Sequence, residues 1–477
     1  LGVAVVRVWK QVVTLQPPLG NADGLLTVVY LLALVGSVVA VTVALRARGL
    51  RPLALVAPAL VLVASVLLGT TSAMAPILVA GGGAVAGLCW PAWRSGRIEL
   101  NRPLATGALV AAAVAGVVGG TVLAPPQGPR YVVREHVDPP PLQEDYPSPL
   151  AGHRGYLKDF EDIVLMTVDG LPPELQRLRL ATLDTYNGLV WDVSNGQTPA
   201  GGRYLRATDR FVPQLDPDAI ELSVTIGAYN DVWLPMTGRV EDVSFTGENA
   251  DTLASGVFYN AESATAPVTA TLTESDSFTL TTVPTPTVTG DQLGGQVISE
   301  LALPPVTRSP EGLAALASRL TEGATTDAAR VQALALGLSS EGFFSHGLQG
   351  DVPSLAGHGL ARMNTMVDET EMVGDAEQYA SLMALMAREL GWPARVVYGF
   401  VRDERDTGAT WEVEGRDVSA WVEVHFQDVG WVAFDPTPDE NNVPASQDPA
   451  PADRPQPQML QPPPPPVPAP DIPSLDT

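Results

Sequence analysis

The sequence GDAEQYASLMALMARELGWPARVVYGFV, at residues 374–401, decides the fold of the region around it. Gly374 and Asp375 mark the expected start of a helix, and Gly391 and Pro393 end it. Large apolar residues recur between them at intervals of three and four, which predicts one apolar helix face formed by Tyr379, Leu382, Met383, Met386 and Leu390. The residues ARVVYGFV at 394–401 then predict a strand.

Elements of the same region extend on both sides of this stretch. Downstream, further strands are predicted at TWEVEG (410–415), SAWVEVHF (419–426) and WVAFD (431–435). These patterns together predict one helix packed on an antiparallel sheet. Upstream, residues 310–339 have helical spacing in two runs, formed by Leu313, Leu316 and Leu320, and by Ala328, Val331, Leu334 and Leu338.

Residues 155–300 have the pattern of an antiparallel β domain. Short runs rich in Val, Thr, Leu and Tyr are separated by turn residues. The run SFTLTTV at 277–283 alternates cleanly, which places one of its faces on a core. The other runs are DIVLMTV, RLRLATLDTY, AIELSVTIG, VSFTG and APVTATLTE.

Residues 1–124 have the composition of a membrane region. Four uncharged apolar runs predict helices at 25–45, 52–70, 73–92 and 103–124, and each is close to the roughly 20 residues that cross a bilayer. A single run of this kind also fits a buried helix of a soluble protein, but four within 124 residues favour membrane spans. No cleavable signal peptide is evident, and we interpret residues 1–13 as the end of an upstream membrane segment.

The loop charges predict the orientation of these spans. Two loops are basic and should be cytoplasmic, one with Arg46, Arg48 and Arg51 and the other with Arg94, Arg97 and Arg102. Everything after about residue 124 is then extracytoplasmic, which predicts a multi-pass protein of the plasma membrane. Arg7 and Lys10, near the N-terminus, argue mildly against this arrangement.

Composition restricts the function classes further. The 477 residues carry a net charge of -25, and all but two of the 53 acidic residues follow residue 124. So acidic an outer region gives no reason to expect a nucleic-acid partner. The one cysteine, Cys89, lies in the third predicted span, so neither an internal disulfide nor a cysteine-based metal site is expected. Two Lys among 28 basic residues indicate a bacterium of high GC content, such as an actinobacterium.

Two segments have the composition of connectors. Residues 125–154 are rich in proline and charge and predict an extended linker. Residues 441–477 form a Pro-rich tail with five consecutive prolines at 462–466, which predicts polyproline II or disorder. A spacer is the ordinary role of such a tail, and a motif that binds an aromatic groove is the alternative.

Residues 305–440 resemble the transglutaminase-like core, a papain-related α+β fold. The resemblance rests on the helix at 374–393 and on the segments PARVV, AWVEV and GWVAFDPTP, in that order. The four predicted spans, the run LRLATLDTYNGLVWD at 178–192 and the Pro-rich tail resemble the multi-pass bacterial branch of this family. The implied fold class is a multi-pass α-helical membrane region followed by an extracytoplasmic β domain and an α+β transglutaminase-like (papain-like) domain.

The resemblance implies a Cys-His-Asp triad that this sequence does not keep. In the family, a cysteine at the helix N-terminus is the nucleophile, a histidine is its base, and an aspartate orients the imidazole. Here Ala376 occupies the cysteine position and Ser419 the histidine position, so only the aspartate, Asp435, remains. The chain is therefore predicted to be a degenerate pseudoenzyme. Residues expected at the cleft are Trp421, Trp431 and Tyr379.

Other residues are considered as replacements for the missing groups. Ser381 is five residues along the helix and rotated away, and His425 is about 20 Å along the strand from position 419. His346 and His358 lie in the segment before the helix and are better placed to approach the cleft. A rebuilt triad remains the minor alternative.

Acidic residues cluster around the start of the helix. They favour a solvated acidic loop over a Ca²⁺ site, because their spacing matches no EF-hand; the cluster consists of Asp368, Glu369, Glu371, Asp375 and Glu377. A P-loop, a dinucleotide fingerprint and an HExxH motif are absent from the sequence. No cofactor and no metal are expected.

The leading functional hypothesis is a non-catalytic binding or scaffolding module in the cell envelope. Its expected partners are the lipid bilayer and an envelope polypeptide or another membrane protein. The resemblance also implies an AAA+ ATPase and a von Willebrand-like protein as partners. One alternative is a protease or acyl transferase that uses other cleft residues. Another is that the membrane region has a structural role and the outer domain only covers it.

Overall fold

The computed structural model describes residues 26–46, 54, 56–67 and 147–444, except for gaps at 173–174, 195–197, 208–210, 213, 285–287, 289, 369–370 and 404. The helices are α1 (Leu26–Arg46), α2 (Val56–Leu67), α3 (His153–Asp159), α4 (Ala250–Ser255), α5 (Gly290–Leu293), α6 (Leu313–Leu320), α7 (Asp327–Glu341), α8 (Leu360–Asp368) and α9 (Ala376–Glu389). The predicted spans at 73–92 and 103–124, most of the predicted linker, and the tail beyond residue 444 lie outside the described residues.

The strands form two larger sheets and several two-stranded ladders. They are β1 (Val164–Asp169), β2 (Arg177–Leu183), β3 (Thr185–Tyr186), β4 (Trp191–Asp192), β5 (Leu205–Arg206), β6 (Ile220–Ile226), β7 (Arg239–Thr246), β8 (Phe258–Tyr259), β9 (Ser277–Val283), β10 (Phe343–Phe344), β11 (Val373–Gly374), β12 (Ala394–Val401), β13 (Thr410–Glu414), β14 (Val418–Phe426) and β15 (Gly430–Phe434).

Helix α1 coincides with the first predicted span. Within the described residues, it is the one helix that is long and apolar enough to cross a membrane. Helix α2 packs closely on it, because a Cβ added at Gly36 would come within 2.6 Å of the Val61 side chain. Helix α2 covers residues 56–67 of the span predicted at 52–70, and the rest of that span, apart from residue 54, lies outside the described residues. A multi-pass arrangement therefore rests on the sequence pattern.

The first large sheet has five antiparallel strands in the order β13-β1-β6-β9-β7. Strand β9 confirms its predicted alternation, since Phe278, Leu280 and Thr282 are buried and the residues between them are less so. The strand predicted at 266–274 is wrong. Its residues make only isolated bridges, such as the one between Val268 and Val257, because the chain turns too often there for a ladder to extend.

The second large sheet has four antiparallel strands in the order β15-β14-β12-β2. Strand β2 belongs to the predicted β domain but pairs with β12 of this sheet. Strand β13 belongs to the predicted transglutaminase-like region but pairs with β1 of the five-stranded sheet. The two sheets thus exchange strands across the boundary predicted between residues 300 and 305. The expectation that β13 joins the sheet under the helix is wrong, because a period of two identifies a strand but not its partner.

Helix α9 lies against the apolar face of β12 and β14, and α6 and α7 pack against it as well. All residues from 376 to 387 are buried. The prediction of one apolar face is therefore too narrow, because the helix is covered on every side. Helix α9 is therefore a core helix and not an amphipathic surface helix.

Helices α6 and α7 confirm the helical spacing predicted at 310–339. Four other helices were not expected: α4 and α5 interrupt the predicted β domain, and α3 and α8 lie in segments predicted to be irregular. Helix α3 begins at His153, inside the predicted linker, and α8 occupies the segment that the sequence presents as a loop before α9. Helices α3, α4 and α5 have seven, six and four residues, too few for a periodic apolar pattern to be recognised.

The pairing of β2 with β12 depends on Gly399. A Cβ at this position would overlap the carbonyl oxygen of Leu178 on the neighbouring strand. We expect Gly399→Ala to lower the free energy of unfolding by about 1–3 kcal/mol, because the two backbones must separate. Gly295→Ala is the matched control, since its added Cβ would meet nothing within 4 Å. Thermal unfolding in detergent measures both, and equal melting temperatures would contradict the prediction.

Candidate functional site

Asp375 caps the N-terminus of α9. Its side chain accepts a hydrogen bond from the backbone N–H of Glu377 at 3.1 Å, and the side-chain oxygen of Gln378 accepts one from the backbone N–H of Asp375 at 2.9 Å. This reciprocal capping box satisfies N–H groups that the first helical turn leaves unpaired. Ala376 is thereby fixed as the first helical residue, with its methyl group buried.

A buried histidine is paired with Glu377. Nδ1 of His358 lies 2.8 Å from a carboxylate oxygen of Glu377, and the backbone N–H of Trp191 donates to Nε2 of His358 at 2.9 Å. Because Nε2 accepts that bond, the ring proton is on Nδ1 and is donated to Glu377. His358 is thus held as a neutral tautomer with its one ring lone pair occupied, which makes it unsuitable as a general base.

Two other histidines approach Asp375 from distant parts of the chain. Nδ1 of His346 lies 3.3 Å from Oδ2 of Asp375, and the His346 side chain is 25% exposed. Nε2 of His153 lies 3.7 Å from Oδ1 of Asp375, and this ring is fully buried in an edge contact with the ring of Tyr398. Two imidazoles and one carboxylate therefore converge at the start of α9.

Burial and charge set the protonation states of this cluster. Burial lowers the pKa of His153, although Asp375 and Glu377 act in the opposite direction. Burial alone would raise the pKa of Asp375, but His153 and the hydrogen bond with His346 lower it below its usual value. The helix N-terminus also favours the carboxylate. Asp375 is accordingly ionised at neutral pH.

The position expected for the catalytic base lies on β14. Ser419 is half-buried between Val418 and Ala420, both of which belong to the hydrophobic core. Neighbouring residues of a strand point to opposite faces, so Ser419 shares a face with Trp421. Position 419 therefore carries a hydroxyl in place of the imidazole that would accept a proton.

The third predicted position follows the end of β15. Asp435 is exposed, and its Oδ1 accepts a hydrogen bond from the backbone N–H of Thr437 at 2.9 Å. This carboxylate closes its own turn, a local role that aspartate commonly has. The assignment of Ala376, Ser419 and Asp435 as degenerate triad positions continues to rest on the family resemblance.

Two of the expected cleft residues meet at a cavity of about 290 Å³ on the polar face of the four-stranded sheet. Trp421 and Trp431 both line it. The guanidinium of Arg177 lies 5.5 Å from the ring centroid of Trp421, and that of Arg395 lies 3.7 Å from the ring centroid of Trp431. These distances are typical of cation–π contacts, which hold both indoles in place.

Glu423, which also lines the cavity, is buried between two arginines. Nε of Arg395 lies 2.9 Å from one carboxylate oxygen of Glu423, and Arg179 forms an ion pair with the other. Arg395 additionally donates to the carbonyl of Glu262, in a loop that follows β8. This ion-pair cluster joins the four-stranded sheet to the β-rich part of the chain.

The third expected cleft residue, Tyr379, lies elsewhere. It is fully buried, and its hydroxyl is 2.7 Å from the carbonyl oxygen of Met372. Burial raises the pKa of Tyr379 well above its usual value. The residue is part of the support beneath α9 and does not line the cavity described above.

The remaining candidates are hydrogen-bonded to other parts of the protein. The hydroxyl of Ser381 donates to the backbone carbonyl of Glu377 one turn earlier, and His425 lies 2.8 Å from the hydroxyl of Ser299. Cys89 and Glu369 fall outside the described residues. The prediction of a solvated acidic loop is wrong for Asp375 and Glu377, because both are buried and hydrogen-bonded.

His153 is the site residue that sequence reasoning missed. It stands at the end of a Pro-rich, charged stretch, and that composition conceals the start of α3. The two histidines considered as replacements, His346 and His358, do reach the start of α9. They do so through Asp375 and Glu377, two residues that were predicted to belong to a solvated acidic loop.

Family models match two parts of the chain. A transglutaminase-like superfamily model matches residues 314–436, and the model of the TgpA N-terminal domain matches residues 1–288, which is more than half of the chain. The chain belongs to the TgpA family. The resemblance of its C-terminal part to the transglutaminase-like α+β core is thereby confirmed.

Comparison with individual proteins gives more limited similarity. The uncharacterized protein YebA of Bacillus subtilis is 38% identical over 74 residues, which are 14% of this chain and 10% of that protein. The periplasmic domain of TgpA from Pseudomonas aeruginosa, bound to ethylmercury, is 18% identical with a TM-score of 0.42, covering 60% of this chain and 93% of that one. A putative cysteine protease from Cytophaga hutchinsonii gives a TM-score of 0.22 at 15% identity, covering 58% and 76%.

Proposed function

We propose that this protein is anchored in the plasma membrane and uses an extracytoplasmic transglutaminase-like domain to bind a polypeptide of the cell envelope, without thiol catalysis. The observation that carries the proposal is the buried methyl group of Ala376 at the capped start of α9. The family places its cysteine nucleophile there. Here the scaffold around that position is intact, whereas the reactive group is replaced.

The cavity beside Trp421 and Trp431 supports a binding role. Aromatic and arginine side chains dominate the energetics of polypeptide interfaces, and both types meet here. The Arg179, Glu423 and Arg395 cluster fixes the cavity wall, so a ligand would find a preorganised surface. The expected ligand is a polypeptide segment with an aromatic or acidic side chain.

Site-specific photo-crosslinking in native membranes tests the binding proposal. A photoreactive residue at Ala433, which lines the cavity, should capture a discrete polypeptide. The same residue at Leu336, an exposed position on α7, serves as the matched control. Equal crosslinking patterns at the two positions, or no adduct at Ala433, would contradict the proposal.

The membrane arrangement has its own test. In a Cys89→Ser background, cysteines placed at positions 47 and 96 are expected to react only with reagents added from the cytoplasmic side. A cysteine at Leu189, which is 75% exposed, is expected to react only from outside. These results follow from the basic loops flanking the predicted spans. Labelling of position 189 from the cytoplasm would overturn the arrangement.

A second candidate function is a protease or acyl transferase that uses other groups of the cleft. The partly exposed His346 beside Asp375 favours it, since a histidine hydrogen-bonded to a carboxylate can act as a base. By family resemblance, an AAA+ ATPase and a von Willebrand-like protein remain proposed partners. They would reach the protein through its membrane region or its cytoplasmic loops.

A further inference from the structure

Both ring nitrogens of His153 lack a hydrogen-bond partner among the described residues, although the side chain is completely buried. Burying an imidazole in this state removes its hydrogen bonds to water and costs free energy. Buried polar atoms in native proteins are almost always satisfied by protein, water or an ion. A bound species at this position would account for the exception.

The surroundings of His153 have the dimensions of a metal site. Nε2 of His153 is 3.7 Å from Oδ1 of Asp375, and Nδ1 of His346 is 3.3 Å from Oδ2 of the same carboxylate. One ligand atom from each residue lies within 4.8 Å of the other two. Tetrahedral Zn²⁺ with bonds of about 2.0–2.2 Å separates its ligand atoms by roughly 3.4 Å. The ligand atoms need move only slightly to reach that geometry.

The chemistry of the donor set identifies the class of ion. Two imidazoles and one carboxylate suit Zn²⁺ and related transition metals, whereas Ca²⁺ and Mg²⁺ prefer sites made of oxygen atoms. Metal ligation requires neutral histidine and ionised aspartate. The exposed part of His346 gives an ion access from solvent.

A hydrogen-bonded cluster without an ion is the competing explanation. It accounts for the contact of His346 with Asp375 at 3.3 Å, but the 3.7 Å separation at His153 is too long for a hydrogen bond. The positive end of the α9 dipole disfavours a cation at this place. The carboxylate of Asp375, one of the three candidate ligands, caps this terminus and offsets that effect.

We propose that His153, His346 and Asp375 bind one divalent transition-metal ion, with Zn²⁺ as the preferred ion, at the start of α9. Three protein ligands leave a fourth position for water or for a ligand group. The ion would join α3, the segment after β10 and the start of α9. It would thereby fix the part of the chain that follows the membrane region to the centre of the transglutaminase-like domain. This inference does not depend on the proposed binding function.

Zn²⁺ titration of the full chain tests the proposal. The protein is purified in detergent, stripped with a chelator and titrated against a chromogenic competitor. One equivalent of Zn²⁺ is expected to bind. His153→Ala and His346→Ala are each expected to weaken affinity by more than about 100-fold, since even second-shell substitutions cost 10–100-fold. His425→Ala, which alters a histidine bonded to Ser299, is the control and should bind normally.

Asp375→Asn guards against misfolding, because asparagine caps a helix as well as aspartate does but supplies no charged ligand. It is expected to keep a cooperative unfolding transition and to lose the rise in melting temperature that Zn²⁺ gives the unmodified chain. Co²⁺ should give intense d–d absorption bands with the unmodified chain and not with this variant. Absence of stoichiometric Zn²⁺ binding, or equal affinity in the unmodified chain and all three ligand variants, would overturn the proposal.

Discussion

The purified full chain is expected to show no amine incorporation and no peptide cleavage above background, because Ala376 has no nucleophilic atom. Loss of a triad nucleophile typically costs on the order of 10⁶ in kcat, and loss of the base adds little because the two groups act as a unit. The assays should be run with and without Ca²⁺ and with and without a chelator. The comparison with and without chelator distinguishes thiol chemistry from a reaction that depends on a bound metal.

Substitutions at the degenerate positions sharpen this prediction. Ala376→Cys places a thiol at the capped N-terminus of α9, where backbone N–H groups stabilise a thiolate, but Ser419 offers no base. We expect reactivity toward alkylating reagents without turnover. Adding Ser419→His gives turnover only if the cleft brings positions 376 and 419 together, and Asp435→Asn should then reduce that turnover. An inactive double variant would show that the cleft no longer brings positions 376 and 419 together.

One result would reverse the functional conclusion. Robust turnover by the unmodified chain, resistant to thiol reagents and abolished by His346→Ala, would favour the enzyme alternative. His358→Ala is a less informative probe of catalysis. Its ring is held by Glu377 and by the backbone of Trp191, so the substitution would damage the fold around α9.

Glu423→Ala is expected to lower the free energy of unfolding by about 3–5 kcal/mol. The substitution leaves Arg179 and Arg395 without their shared carboxylate, and an unpaired buried charge is much more costly than a lost surface contact. Glu341→Ala is the matched control. Its ion pair with Arg319 is about half exposed on both sides, and its loss should cost less than about 1 kcal/mol.

The effect of Glu423 should depend on pH in a defined direction. Burial alone would raise the pKa of Glu423, but Arg179 and Arg395 lower it below its usual value. Burial lowers the pKa of Arg395 to about 10, so it stays charged at neutral pH. A depressed carboxylate pKa contributes stability that is present above the unfolded-state pKa of about 4.3 and is lost as pH falls through the folded-state value.

The difference in stability between the parent chain and Glu423→Ala should therefore be constant near neutral pH and should narrow in acid. Melting curves followed by near-ultraviolet circular dichroism in detergent, collected at several pH values, measure it. A substitution cost as small as that of Glu341→Ala would show that the arginines are better solvated than their burial implies. A difference that grows in acid would contradict the assigned ionisation state.

Local sequence determined the positions of several helices and strands. The cap at Asp375 and the stop at Gly391 fixed the position of α9, and the alternation of residues 277–283 fixed β9. Bounds of β12 and β14 were also predictable to within one residue. These features depend on interactions between residues close in sequence, such as a capping box or a run of alternating apolar side chains. The same local motifs identified the family resemblance and the missing cysteine and histidine.

The tertiary structure decided what those elements meet. Strands β2 and β13 exchanged sheets, because the partner of a strand is chosen by the packing of distant segments. Asp375 and Glu377 were predicted to belong to a solvated acidic loop, but the segments that carry His153, His346 and His358 cover them. His153 had no local signal at all, since its partners lie about two hundred residues away in the chain. Only folding brings residues 153, 346 and 375 within contact, and so the candidate metal site belongs to the tertiary structure alone.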